Sequence, residues 1–81
     1  MRDPNRIQEI LDLVQLIWQE DQDLRFMQLL YNIQSEFSHR NNGCGKVEEY
    51  VDDGFSKIGF DMFNVEDDEF LEYLREKVQN V

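Results

Sequence analysis

Cysteine is nearly absent from this chain: Cys44 stands alone among 81 residues. One thiol cannot close an internal disulfide, so no disulfide framework holds the fold, and a reducing, cytoplasmic setting is the simplest expectation. Long apolar runs are missing as well. No stretch approaches the roughly 18 apolar residues that span a bilayer. Met1 to Gln8 is polar and has none of the order of a secretory signal. Basic residues are scarce: 8 Lys and Arg face 18 Asp and Glu, for a net charge of −10. No Lys/Arg cluster exists to displace the counterions of nucleic-acid phosphates, which argues against direct nucleic-acid binding. An anionic membrane surface is disfavoured on the same electrostatic ground, whereas a basic partner surface is favoured.

What is present suffices for a small globule. Hydrophobic residues make up 41% of the chain, and six Phe, three Tyr and one Trp supply bulk for a core. The length fits one domain, residues 1–81, with a stability on the order of 5 kcal/mol.

Three segments carry helical periodicity. Asp3 is a capping residue, and Pro4 suits a first helical position, where its missing N–H would have no partner. Ile7, Ile10, Leu11, Val14, Ile17 and Trp18 then recur every three or four residues, predicting a helix over 4–20. After a short turn, Phe26, Met27, Leu30, Ile33 and Phe37 repeat the pattern over 24–37, and so brief a connection predicts an antiparallel helical hairpin. Asn41, Asn42, Gly43 and Gly45 mark a loop over 38–45. The last helix is expected from Asn64 as cap, with Phe70, Leu71, Leu74 and Val78 as its apolar stripe. Between these lies an aromatic-rich stretch. Val47, Tyr50 and Val51 have helical spacing, with Gly54 as a stop. Ile58, Phe60 and Met62 alternate as an extended segment would, or lie in a loop over the core. Phe55, Phe60 and Phe63 are expected to cover the open side of the helical hairpin.

Chemistry-bearing residues are few. His39 and Cys44 share a loop, but no third group orients the base and nothing lowers the thiol pKa, so a catalytic pair is not expected. The two are also too few for structural zinc. Asp52, Asp53 and Gly54 echo part of a calcium loop, yet Val51 stands where an oxygen ligand is needed and Phe60 where the closing acid belongs. The segment "GCG" at 43–45 lacks the spacing and setting of a phosphate loop. Trp18 and the Phe and Met residues read as core rather than as a cofactor pocket. No catalytic residue, metal site or cofactor is therefore expected.

The acids are the distinctive feature. Residues 46–81 hold 11 of the 18 carboxylates. Glu48, Glu49, Asp52, Asp53, Glu66, Asp67, Asp68, Glu69, Glu72 and Glu76 form the candidate interaction surface, with Asp61 beside them. Glu66 to Glu69 fall in and just after the first helical turn, where free N–H groups and the dipole favour negative charge. Arg75 and Lys77 occupy the favoured opposite end, with Glu72 in reach of Arg75. Two functions fit this pattern. One is a non-enzymatic protein that binds another protein. The other is a phage-type DNA mimic, whose carboxylates imitate phosphates and fill the basic groove of a nucleic-acid-binding protein.

"RDPNRIQEILDLVQLIWQEDQDLRFMQLLYNI" (2–33) resembles the opening of the YihD-like group of small bacterial and phage proteins, through Arg2-Asp3-Pro4, Arg6-Ile7, Trp18, Asp23-Leu24-Arg25 and Gln28-Leu29-Leu30. "DMFNVEDDEFLEYL" (61–74) is similar to a later block of that group, with Phe63 and Glu66-Asp67-Asp68 matching. The resemblance implies a small helical fold and no activity. If the acids Glu66 to Glu69 recur in relatives of ordinary charge, capping and local pairing explain them better than mimicry. Arg25 would pair with Glu20 or Asp21. Arg2 or Arg6 would meet Asp67 or Asp68 if the last helix begins beside the first. The fold expected is all-α: a small bundle of an N-terminal helical hairpin and a C-terminal helix, with an irregular segment between.

Overall fold

The computed structural model describes residues 2–50 and 56–80. Its elements are α1 (Asn5–Gln19), α2 (Phe26–Arg40), β1 (Lys46–Tyr50), β2 (Ser56–Phe60) and α3 (Asp67–Gln79). The chain is mostly helical, and the all-α expectation is corrected by the two-stranded antiparallel sheet. Two compact units result: α1 with α3, and α2 with the strands.

In the first unit, the Asp3 carboxylate accepts the N–H of Asn5 at 3.0 Å. That bond satisfies one of the free donors at the start of α1. At the other end, Glu20 and Asp21 donate to the carbonyls of Ile17 and Trp18. The Trp18 indole N–H reaches the Leu24 carbonyl at 2.9 Å and ties the following turn to the helix. Trp18 thus has a polar task as well as an apolar one. α1 packs against α3. Its apolar stripe is wider than the side it buries: Ile17 is buried, whereas Ile7 and Leu11 remain 55% and 57% exposed. α3 begins at Asp67 with Glu66 extended before it, two residues later than a cap at Asn64 requires. Leu71, Tyr73 and Leu74 are buried, and the Phe70 and Tyr73 rings lie 5.8 Å apart.

In the second unit, α2 buries Leu29, Ile33 and Phe37, one per turn along one face. Phe26 and Met27, expected on that face, are exposed. The helix runs three residues beyond the expected stop at Phe37. It ends where Asn42 takes φ 60° and the Gly43 N–H bonds the Ser38 carbonyl at 2.7 Å. This six-to-one bond is the mark of a Schellman ending. Gly45 follows at φ +75°, and a Cβ there would stand 2.8 Å from the Asp61 carbonyl oxygen.

β1 and β2 pair with Lys46 opposite Phe60, Glu48 opposite Ile58 and Tyr50 opposite Ser56. The extended reading of Ile58 and Phe60 holds, and the helical reading of Val47 and Tyr50 is corrected. A spacing of three over so short a run does not separate helix from strand, and a paired strand satisfies the backbone of both segments at once. Val51, Gly54 and Phe55 lie outside the described residues. The Phe60 ring meets Tyr31 of α2 edge-on at 5.4 Å. Phe63 covers nothing: it is 92% exposed, its N–H held by the Asp61 carboxylate. The turn between β2 and α3 fixes its backbone and leaves its ring outside.

Candidate functional site

The ten candidate carboxylates have different fates. Asp52 and Asp53 lie outside the described residues. On β1, Glu48 accepts an ion pair from Lys46 at 3.2 Å, two residues back on the same face of the strand. Glu49 stands opposite Lys57 in the register, on the other face. Charges of opposite sign at such positions support a hairpin.

On α3 the acids divide. The first two are used inside the unit: Glu66 takes Arg2 at 3.2 Å, and Asp67 takes the Nε of Arg6. The expectation that an arginine of the first helix would meet an acid of the last is realised at Arg6 and Asp67. The pair is part-buried, with the Arg6 side chain only 25% exposed. The remaining four, Asp68, Glu69, Glu72 and Glu76, are exposed. At 100° per residue they fall within about a third of the helix circumference, on the side away from Leu71, Tyr73 and Leu74. Their polypeptide span is about 12 Å along the axis.

Arg75 borders this face. Its Nε and terminal nitrogen each donate to Glu9 of α1 at 2.7 Å, a two-pronged arrangement. Those hydrogen bonds hold the Glu9 carboxyl below its usual range, and the arginine's positive charge adds to the effect against some desolvation. Arg75 is raised in turn, first by the hydrogen bond to Glu9, with Asp68 and Glu72 adding weaker attraction. Sequence reasoning placed Glu72 near Arg75 and missed Glu9. The available signal was the polar side of the first helix, where Glu9 is three residues beyond Arg6 and so shares its neighbourhood.

Three arginines, Arg2, Arg6 and Arg75, thus join α1 to α3 through Glu66, Asp67 and Glu9. With both helix starts tied and a further pair ahead, α1 and α3 run in the same sense. The acidic face is carried by a helix tied to α1 at its start and again at Arg75. Such an arrangement offers carboxylates to a cationic surface. Among the described residues, no group of three His, Cys, Asp or Glu gathers to hold a metal ion. No described helix is long and apolar enough to cross a membrane. Neither a family model, nor a curated protein, nor a solved structure matches this chain.

Proposed function

We propose that this protein acts without catalysis, as a small acidic cytoplasmic protein that binds another protein through the exposed carboxylates of α3. One observation carries this reading: Asp68, Glu69, Glu72 and Glu76 share one exposed face while three arginines are spent inside the same unit. A cation from a partner then meets a field that the protein's own bases only partly offset. Four charges grouped this way favour a basic surface and speed the encounter with it. Glu48 and Glu49 on β1, with Asp52 and Asp53, extend the acidic character to the second unit.

A DNA mimic is the second reading, and a spacing favours it. The four carboxylates rise unevenly, by about 1.5, 4.5 and 6 Å, but average one charge per about 4 Å, near the 3.4 Å per phosphate of one DNA strand. Kinship with the YihD-like group, on the residues quoted above, is part of the proposal and adds no activity to it.

Capture from a cell lysate on the immobilised protein, followed by stepwise salt elution, tests the main reading. The expected result is a basic protein released as salt rises. Release by duplex DNA at low salt favours the mimic. A complex that resists high salt and DNA alike contradicts both.

A further inference from the structure

The second unit holds a cleft of about 370 Å³ between α2 and the face of the hairpin that carries Phe60. Tyr31, Ser35, Ser38 and His39 line it from α2, where spacings of three and four from Ser35 place them on one side of the helix. Lys46, Ile58 and Phe60 line it from the strands. The register explains their meeting, since Lys46 stands opposite Phe60 and side chains two apart on a strand share a face.

The lining is unusual for this chain. Acids outnumber bases 18 to 8 in the sequence, yet among the described residues that line the cleft none is acidic, and both Lys46 and the single histidine are there. The groove at the start of α1 differs: there Arg2 and Arg6 meet Glu66 and Asp67, so its charges are already matched. Beside the cleft, on the same face of the hairpin, Glu48 takes one donor of Lys46 at 3.2 Å, and an ammonium has three. The carbonyls of Phe37 and Ser38 at the end of α2 accept from Asn41 and Gly43, which satisfies the negative end of the helix locally. The edge-on Tyr31–Phe60 pair and Ile58 supply an apolar wall. The volume lies at the small end of ligand sites.

We propose that this cleft binds a small aromatic carboxylate, its ring against Phe60 and Tyr31 and its carboxylate toward Lys46 and His39. The site is independent of the α3 face and of the reading built on it.

Benzoate, acetate and benzamide, titrated separately into the isotope-labelled full chain, test this. Amide shifts of Asn42, Gly43 and Lys46 are expected to saturate with benzoate. Acetate, without the ring, and benzamide, without the charge, should each bind several-fold more weakly. Lys46→Gln should weaken benzoate by about fivefold, as for one partly exposed charge pair. Tyr31→Leu should weaken it too, and Glu72→Gln should leave it unchanged. Absence of saturable shifts, equal binding of acetate or benzamide, or shifts centred on α3 would overturn the proposal, and these readouts need no variant.

Discussion

Glu9 and Arg75 make the clearest prediction at the scale of single residues. The arginine's two donors hold the Glu9 carboxyl low in the folded state. A depressed folded pKa means that the pair's contribution is present above the unfolded value. It is lost as pH falls through the folded one. Acid should therefore loosen the link between α1 and α3 as Glu9 takes up its proton. In Arg75→Gln, the carboxyl carbon of Glu9 should titrate at higher pH than in the parent; an unchanged midpoint would show that the arginine does not set it. Arg6 and Asp67 are less exposed and suit a stability measurement. Arg6→Ala should cost about 1 kcal/mol, more than a typical exposed pair, which lowers Tm by roughly 4–8 °C for a chain of this size. In Arg6→Ala/Asp67→Ala the second substitution should add little, because each single change already breaks the pair. Full additivity would mean that the two groups do not interact.

The secondary-structure elements reveal which physical signals the sequence carried. Helices were readable because their apolar residues repeat over four turns, too long a run for chance. Which part of each stripe is buried was not readable, as Ile7, Leu11 and Met27 show. Periodicity marks a side of a helix, and the packing partner then selects a narrower strip. β1 differs from its sequence reading because five residues cannot distinguish a spacing of three from an alternation, and its stability comes from pairing with residues six to fourteen positions away. Glu66 to Glu69 were correctly placed at a helix start, but their division into arginine partners and an exposed face depends on where α1 lies. Glycines at the loop test the hairpin. Gly43 and Gly45 both have positive φ, but only Gly45 is crowded, by the Asp61 backbone. Both alanine substitutions should incur the left-handed penalty of about 1–2 kcal/mol, and Gly45→Ala should cost more than Gly43→Ala by thermal melting. The reverse order would contradict the close approach of Gly45 to Asp61. Within α2, Phe37 is almost wholly buried. Phe37→Ala should cost about 3–5 kcal/mol, a large share of the stability of so small a chain, and circular dichroism should show partial unfolding at room temperature.

For the whole molecule, charge is the dominant property. A net charge of −10 on 81 residues makes self-association unfavourable and contact with cationic surfaces favourable. Triple substitution Glu69→Gln/Glu72→Gln/Glu76→Gln removes three charges without touching the pairs at Glu66, Asp67 or Glu9. Glu69 and Glu72 are three residues apart and Glu72 and Glu76 four, spacings at which like charges repel. Relief of that repulsion offsets the loss of Glu72's attraction to Arg75 and of Glu69's charge in the first turn, so the triple variant should melt close to the parental temperature, which separates loss of binding from loss of fold. The most direct test of the acidic face is to compare the proteins captured from one lysate by the parent and by this variant, quantified by mass spectrometry. A basic partner retained by the parent and depleted at least several-fold on the variant is the predicted result; equal capture by the two would contradict a binding role for the α3 carboxylates.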